Sequence, residues 1–267
     1  MNPMQMFDHH KQTLDNFIEK WKSDSSCRAI MIGGSIAHGT AKETSDVDVY
    51  LLMTEEAYEI RRRDRHLSFA DHSVSAYEGG YVDVKVICLP FLELAAKEGS
   101  EPTRHSFIGS KAVYSTITGL DELLSRISVY PEENREKNLR DFSAQLYLYA
   151  FYFAKEAGKK NDPYLMAHAV SNLVLFSGRI ILAVNRILFS GHKSLMEAVE
   201  AAPQKPKNFR KLATELLQQP SAEKCARFAT MMLVFYNPGL SFDQALGIYV
   251  ENNERNWVNQ APPLQDR

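Results

Sequence analysis

One stretch, from Met31 to Met53, constrains the fold more than any other part of the sequence. Its second half alternates, so that Asp46 and Asp48 face one side of a strand. The other side carries apolar side chains, at Val47, Val49, Leu51 and Met53. Two carboxylates on one strand face start roughly 7 Å apart, so their oxygens can reach the same small volume. Because such like charges repel each other, the pair indicates a cation between them, and magnesium is the cation that prefers oxygen ligands and substrate phosphates.

A glycine turn, Gly33-Gly34-Ser35, directly precedes this acid strand. Its two glycines allow a sharp turn and the close approach of a ligand. Ser35 can cap a following helix, whose free N–H groups suit a phosphate. The turn and the acid pair are each common, but ten residues between Ser35 and Asp46, with apolar strands on both sides, make the combination specific. A phosphate site beside a magnesium site indicates an enzyme that uses a nucleoside triphosphate.

The Gly-Gly-Ser turn, the ten-residue spacer and the run Ser45-Asp-Val-Asp-Val49 resemble the signature of the DNA polymerase β-type nucleotidyltransferase superfamily. The chain is most similar to its small bacterial members, which include the aminoglycoside-modifying enzymes. The resemblance implies an α/β (α+β) nucleotidyltransferase domain with a mixed sheet, followed by an all-α helical bundle domain. It also implies transfer of a nucleoside monophosphate from a nucleoside triphosphate to a hydroxyl of a small-molecule acceptor. Pyrophosphate would be released, and two Mg²⁺ ions would accompany the bound nucleotide.

A third carboxylate lies on a later strand. Residues 81–89 alternate, with Val82, Val84 and Val86 on one face and Tyr81, Asp83 and Lys85 on the other. If this strand pairs with the acid strand, Asp83 can join the acid pair, and it matches the superfamily's third acidic position. We therefore predict that Asp46, Asp48 and Asp83 are the catalytic and metal-binding residues. The alternative is that Asp83 only pairs with Lys85 or caps its strand.

The nucleotide phosphates are expected to contact Gly33, Gly34 and Ser35. The run 179–186, followed by His192 and Lys193, is similar to a helix and loop that line the nucleotide cleft in some relatives. On that resemblance we predict that Lys193 binds the nucleotide, although Asn185 and Lys193 also suit a core amide and a surface lysine.

Two further residues are less specific candidates. Some relatives carry a general base on the helical domain, and Glu156 is the acid deep in the first long helix of this part of the chain. His38 lies in the phosphate loop, where it either touches substrate or has no role.

The hydrophobic pattern predicts two domains and a tail. Residues 1–128 form the catalytic domain, 129–259 the helical bundle and 260–267 a disordered tail, with a boundary near Pro131. Strands are expected at 28–32, 46–53, 66–76, 81–89 and 111–115. Helices are expected at 5–21, 35–38, 55–65, 92–98 and 120–127, and then in a helix that ends at Gly158 and at 163–189, 209–218, 221–236 and 241–257.

Charge and cysteine usage limit the classes of partner. Residues 1–128 hold 14 Lys and Arg against 19 Asp and Glu, whereas residues 129–267 hold 17 against 14. Neither part is basic enough to indicate a nucleic-acid-binding protein, although nucleic acid is not excluded. Three widely spaced cysteines indicate free thiols in a reducing compartment.

No membrane partner is expected, and the cytoplasm is the expected location. The first ten residues lack the apolar core of a signal peptide. The apolar run 173–189 contains Arg179, Asn185 and Arg186, which a lipid-facing helix tolerates poorly, so we interpret it as a buried helix.

Three functions remain open from the sequence alone. The first is a small-molecule nucleotidyltransferase, and the second is a transferase that acts on tRNA or protein, as some toxin- or antitoxin-like relatives do. The third is an inactive nucleotide-binding partner module, which the intact trio of acids argues against. The acceptor, the preferred base and the oligomeric state are not specified by the sequence.

Overall fold

The computed structural model describes residues 6–258 and 260–267. Two compact units divide the chain, Met1–Val129 and Tyr130–Arg267. The sequence analysis placed this boundary one residue earlier. The predicted start of the first helix, Gln5, and the last residue of the predicted bundle, Asn259, lie outside the described residues.

The described part of the first unit contains five strands and six helices. The strands are β1 (Cys27–Ile32), β2 (Val47–Met53), β3 (Ser68–Asp71), β4 (Val82–Cys88) and β5 (Lys111–Ser115). The helices are α1 (Asp8–Trp21), α2 (Gly34–Ala37), α3 (Glu55–Arg63), α4 (Leu89–Glu98), α5 (Glu101–Ser106) and α6 (Leu120–Ile127). The strand order is β3-β4-β2-β1-β5; β2 and β4 are parallel, and the other neighbours are antiparallel. The predicted mixed sheet is confirmed.

Both faces of this sheet are covered, but over different parts of the strands. One face carries the valines of β2 and β4, which pack with Phe17 of α1. On the opposite face Leu52 and Ile87 pack with Leu92 of α4 and Leu124 of α6. Polar positions alternate with buried ones only in the first halves of β2 and β4, whereas the last three residues of each strand are all buried. The face that packs against α4 and α6 is therefore uncovered at the beginnings of β2 and β4.

The strand predicted at 66–76 is much shorter in the structure, since β3 ends at Asp71. The Asp71 carboxylate accepts hydrogen bonds from the backbone N–H and the hydroxyl of Ser73, at 3.1 and 2.7 Å. Lys20 donates to the same carboxylate at 2.7 Å. This local turn uses the groups that would otherwise extend the strand pairing, so the chain leaves the sheet there.

Two helices near 90–106 also differ from the prediction. Helix α4 begins at Leu89 rather than at residue 92, because Pro90 is compatible with the first turn of a helix. Helix α5 was not predicted; it is only six residues long, and the Ser100 side chain caps it by accepting from the Thr103 N–H.

Arg104 of α5 is hydrogen-bonded to the ends of the neighbouring helices α4 and α6. Its guanidinium is buried and donates to the carbonyls of Ala96, Lys97, Gly99, Ile127 and Val129, at 2.9–3.4 Å. Without it these partly buried carbonyls would lose their donors. We therefore expect Arg104→Met to lower the free energy of unfolding by about 3 kcal/mol.

Chemical denaturation of Arg104→Met beside Arg126→Met would measure this effect, because Arg126 is exposed on α6. Equal stability of the two variants would contradict a role for Arg104 in joining the helix ends.

In the second unit the described regular secondary structure is helical. It consists of α7 (Glu132–Leu148), a π-helical segment (Tyr149–Phe153), α8 (Ala154–Lys160), α9 (Pro163–Val184), α10 (Leu195–Ala201), α11 (Phe209–Gln218), α12 (Ala222–Phe235), α13 (Phe242–Tyr249) and a second π-helical segment (Val250–Glu254). Short 3₁₀ segments lie at His192–Ser194, Asn256–Val258 and Leu264–Asp266. The all-α character predicted for this part is confirmed. The tail that was expected to be disordered carries the last of these 3₁₀ segments.

Three helix ends in the second unit differ from the prediction. The first long helical stretch runs past Gly158 to Lys160 and is followed by Asn161, which adopts the left-handed conformation with φ 49°. Helix α9 ends at Val184 rather than at 189, since Arg186 has φ 55°. Regular helix in α13 ends at Tyr249, where the π-helical segment begins. Helix α10 was not predicted.

Among the described helices, one is long and apolar enough to cross a membrane, and this helix is α9. In this structure 56% of its most apolar window is buried. Leu173, Ile181 and their apolar neighbours pack in the largest hydrophobic cluster of this unit. Such burial is typical of the central helix of a helical bundle.

Candidate functional site

The three predicted acids converge at the open end of the sheet. In the parallel pairing of β2 and β4, Asp48 lies directly beside Asp83, and Asp46 comes immediately before β2. One oxygen from each carboxylate lies within 4.8 Å of the others, and all three residues are partly buried. The alternation that the sequence suggested therefore places the three carboxylates on one face.

Burial and like charge act together on the central acid. Burial raises the pKa of Asp48 to about 6, and the negative charges of Asp46 and Asp83 contribute in the same direction. The positive charge of Lys85 and a hydrogen bond from the Ser35 backbone N–H oppose this rise only in part. The ionised cluster is thus electrostatically unfavourable by itself, and a cation between the carboxylates would relieve the repulsion.

The donor set fits magnesium. It consists of carboxylate oxygens, which are the ligands of hard divalent cations, and it lacks the sulfur and imidazole ligands that favour zinc. No other three His, Cys, Asp or Glu side chains in the described parts of the chain converge in this way. These residues could therefore hold a divalent metal.

The glycine turn that was predicted to bind phosphate, residues 33–35, packs closely against Asp48. The Gly33 N–H donates to the Asp48 carbonyl at 3.0 Å. Gly34 has φ 57°, and a Cβ there would lie 2.7 Å from the Asp48 Cβ and would overlap the carboxylate oxygen Oδ2. Only glycine fits both the backbone conformation and the space. The Ser35 hydroxyl is buried and has no hydrogen-bond partner among the described residues, so its hydrogen-bonding capacity is unused within the fold.

Lys85 lies beside the acid cluster on the same sheet face. Its Nζ is 3.0 Å from the Asp83 Oδ2. Burial alone would lower the pKa of Lys85, but the hydrogen bond that its ammonium donates to Asp83 and the charges of Asp83 and Asp48 outweigh burial and raise this pKa. Asp83 therefore belongs to the acid cluster and also pairs with Lys85. The pairing with Lys85 that the sequence analysis gave as the alternative is therefore present, and the metal-binding role of Asp83 stays a prediction.

A cavity of about 200 Å³ adjoins Asp48. It is lined by Gly34, His38, Asp48, Val49, Tyr50, Lys85, His105 and Ser106. The sequence analysis did not assign Tyr50 or Lys85 to a site. Each follows an acid of the cluster by two positions, so the strand alternation carried this signal. His105 and Ser106 lie on the unpredicted α5, and no sequence pattern placed them here.

Two histidines form one wall of this cavity. The rings of His38 and His105 meet edge to face with centroids 5.1 Å apart. Burial lowers the pKa of both imidazoles. One nitrogen of His38 donates to the His105 carbonyl, while Nε2 is buried and lacks a partner within the part of the chain that the structure describes. Near neutral pH this wall is uncharged and can accept or donate a hydrogen bond.

The candidates of the second unit have local roles in the structure. The Asn185 amide donates to the carbonyls of Ile181 and Gln204, at 2.8 and 2.7 Å, and accepts from the Gln204 N–H at 2.9 Å. Its hydrogen bonds are therefore used within the fold. Lys193 is exposed, and Glu156 pairs with Lys159 at 2.7 Å. A nucleotide contact at Lys193 and a general base at Glu156 stay predictions.

Comparison with known families identifies the first unit. Residues 14–101 match the family model described as a nucleotidyltransferase domain, which covers about one third of the chain. This match contains the glycine turn and all three acids. Residues 14–101 thus form a nucleotidyltransferase domain, and the resemblance of this region to nucleotidyltransferases is confirmed.

Similar solved structures are distant. A nucleotidyltransferase-like protein from Exiguobacterium sibiricum is 11% identical, covers 96% of this chain and 80% of its own, and gives a TM-score of 0.49. The spectinomycin adenyltransferase AAD(9) from Enterococcus faecialis, determined with ATP and spectinomycin, is 13% identical, covers 84% of this chain and 98% of its own, and gives a TM-score of 0.31. No curated protein matches the sequence. These distant likenesses do not bear on the acceptor.

Proposed function

We propose, from the premise that residues 14–101 form a nucleotidyltransferase domain, that the protein is a magnesium-dependent transferase. It moves a nucleoside monophosphate from a nucleoside triphosphate, such as ATP, to a hydroxyl of a small-molecule acceptor and releases pyrophosphate. The observation that carries this proposal is the convergence of three carboxylates within 4.8 Å beside a glycine turn. A purely structural site would not concentrate a net negative charge in this way.

The residues of this domain have separate roles in the proposed reaction. Asp46, Asp48 and Asp83 would hold magnesium, which when bound supplies Lewis-acid stabilisation of charge on the phosphoryl oxygens. Ser35, through its free hydroxyl, and the glycine turn contact the β- and γ-phosphates. The acceptor oxygen forms a bond to the α-phosphorus while the bond to the β-phosphate oxygen breaks, and pyrophosphate takes the electron pair. Asp83 is the carboxylate that we assign to accept the hydroxyl proton.

Binding of magnesium and nucleotide should stabilise the fold, because a ligand that binds only the folded state raises its melting temperature. At a ligand concentration 100-fold above Kd the gain is about 2.7 kcal/mol. Scanning fluorimetry with each of four triphosphates, with and without Mg²⁺, measures the shift. Each component alone is the control. If no triphosphate shifts the melting temperature in the presence of Mg²⁺, nucleotide binding is excluded as a function.

The acceptor is found by a turnover assay. The protein is mixed with each triphosphate, Mg²⁺ and pooled small hydroxyl compounds, and pyrophosphate release is measured. Pyrophosphate that appears only with one pool supports a small-molecule acceptor. Release that requires added tRNA or protein supports the second function, and nucleotide binding without release under any condition supports the inactive module.

One observation favours the second function as an alternative. The second unit has a surface cavity of about 670 Å³ with four basic side chains on its wall, Lys205, Lys207, Arg210 and Lys211. Two acids, Glu200 and Glu215, share that wall and reduce its positive charge. A phosphate backbone is the kind of surface that such a group of cations binds.

We also place the reaction in the cytoplasm. Support for this proposal comes from Cys27, Cys88 and Cys225, which are buried free thiols. Free thiols persist in a reducing compartment.

A further inference from the structure

Lys85 places its positive charge beside Asp83, where a metal ion bound by Asp83 would also place positive charge. Its ammonium nitrogen lies 3.0 Å from Asp83 Oδ2. Two cations that share one carboxylate repel each other, and the repulsion is stronger near a protein surface than in bulk water. Lys85 and a metal at Asp83 therefore compete for this carboxylate.

The ammonium also compensates charge in the resting cluster. Among the described residues Lys85 is the basic side chain whose charge acts on Asp48, and it acts on Asp83 as well. Three carboxylates and one ammonium leave a net negative site. Lys85 is thus an internal counter-ion, which stabilises the cluster before a metal arrives.

The strand geometry allows the ammonium to leave. Val84 and Val86 are buried and hold this part of β4 in register, whereas the Lys85 side chain is 49% exposed. Lys85 also lines the cavity that Asp48 and Gly34 border. Rotation about its side-chain bonds can therefore carry the ammonium from Asp83 into a cavity that adjoins the glycine turn, without moving the backbone.

We propose that Lys85 exchanges partners during loading of the site: it leaves Asp83 for the phosphates of the incoming nucleotide, and Asp83 then completes the metal site. This inference rests on the proposed function. A triphosphate carries more negative charge than one carboxylate, so it competes well for the ammonium. Metal alone must displace Lys85, whereas metal and triphosphate together give both cations a partner.

The exchange makes the two ligands cooperative. The triphosphate strengthens metal binding because it removes Lys85 from Asp83, and the metal strengthens triphosphate binding by the same factor, as linkage requires. Lys85 would thereby prevent full metal loading of the site when no nucleotide is present.

The test compares Mn²⁺ binding by four proteins, without nucleotide and with inorganic tripolyphosphate. Mn²⁺ is followed by electron paramagnetic resonance, and its binding to free tripolyphosphate is measured separately and subtracted. The proteins are the wild type, Lys85→Met, Lys85→Arg and Lys97→Met. Lys97 is the matched control, since it also pairs with a carboxylate, that of Glu98 at 2.8 Å, but lies on the exposed end of α4.

Without tripolyphosphate we expect Lys85→Met to bind Mn²⁺ about tenfold more tightly than the wild type, because the competing ammonium is gone. Tripolyphosphate should tighten Mn²⁺ binding by the wild type, Lys85→Arg and Lys97→Met, and much less by Lys85→Met. Unchanged or weaker Mn²⁺ binding by Lys85→Met without tripolyphosphate overturns the partner exchange.

A fifth protein separates this proposal from the proposed function. Asp48→Asn should lose most Mn²⁺ binding whether or not Lys85 exchanges partners. If Asp48→Asn binds Mn²⁺ like the wild type, the acid cluster is not the metal site, and the proposed function fails together with the exchange. If Asp48→Asn loses Mn²⁺ while Lys85→Met matches the wild type, only the exchange fails.

Discussion

Asp48→Asn should abolish nucleotide transfer while the fold remains intact. The amide has nearly the same shape as the carboxylate, so the packing of Val47 and Val49 on the opposite face should barely change. The substitution removes one negative charge from the centre of the cluster and weakens the cation site. Since electrostatic stabilisation of the transition state is usually the largest catalytic contribution, we expect turnover to fall by about 100-fold or more. Pyrophosphate release measures it.

The same variant should be more stable than the wild type in the absence of metal. The folded pKa of Asp48 is raised to about 6 from a usual value of 3.8. The folded protein therefore holds its proton more tightly than the unfolded chain, so ionisation of Asp48 costs stability as the pH rises through this window. At pH 7 the cost is present in the wild type and absent in Asp48→Asn. The whole pKa difference would correspond to about 3 kcal/mol. Because Asp48 is only partly buried, solvent screening reduces the gain that we expect to about 1 kcal/mol, or about 2–4 °C in melting temperature.

Measurements at two pH values separate the electrostatic cause from others. Near pH 3, where the carboxylate is protonated in both states, the wild type and Asp48→Asn should melt at similar temperatures. Asp64→Asn, at an exposed position after α3, is the matched control and should change neither activity nor stability. If Asp48→Asn unfolds the protein, or if activity per folded molecule survives, Asp48 is structural and the catalytic assignment is wrong.

Gly34→Ala should have a comparably large effect on activity by a steric route. The added Cβ would overlap the Asp48 carboxylate, and φ 57° is a conformation that alanine adopts at a cost of about 1–2 kcal/mol. Either the turn or the carboxylate must move. Because misplacement of a catalytic group by about 1 Å can cost about 100-fold in rate, we expect turnover to fall by that factor.

Gly79→Ala separates the two causes. Gly79 has φ 72°, similar to that of Gly34, but a Cβ there has no neighbour within 4 Å among the described residues. This variant should lose about 1–2 kcal/mol of stability and keep its turnover. A Gly34→Ala protein that loses only stability, in the same measure as Gly79→Ala, would mean that the close approach of the turn to Asp48 has no catalytic importance.

Local alternation in the sequence placed Asp46 and Asp48 on one strand face and Asp83 on a face of a second strand, because a strand places every second residue on the same face. The resemblance to a known family joined Asp83 to the other two acids. The mixed sheet and the helical second unit were likewise predicted, since long periodic segments and helix-breaking residues are local features. Errors appeared at element ends. Asp71 ended β3 early through hydrogen bonds within a turn, and Asn161 replaced Gly158 as the end of a helix.

The surroundings of the acids depended on the tertiary structure. The parallel register of β2 and β4 sets Asp83 beside Asp48 and Lys85 beside Tyr50, and no local pattern specifies which strands pair or in which register. Helix α5 is too short for a periodic signal, yet it brings His105 to the cavity wall. The sequence by itself determined which side chains share a strand face, because that follows from backbone geometry over a few residues. Only the tertiary structure decided which faces meet, because that depends on contacts between residues far apart in the chain.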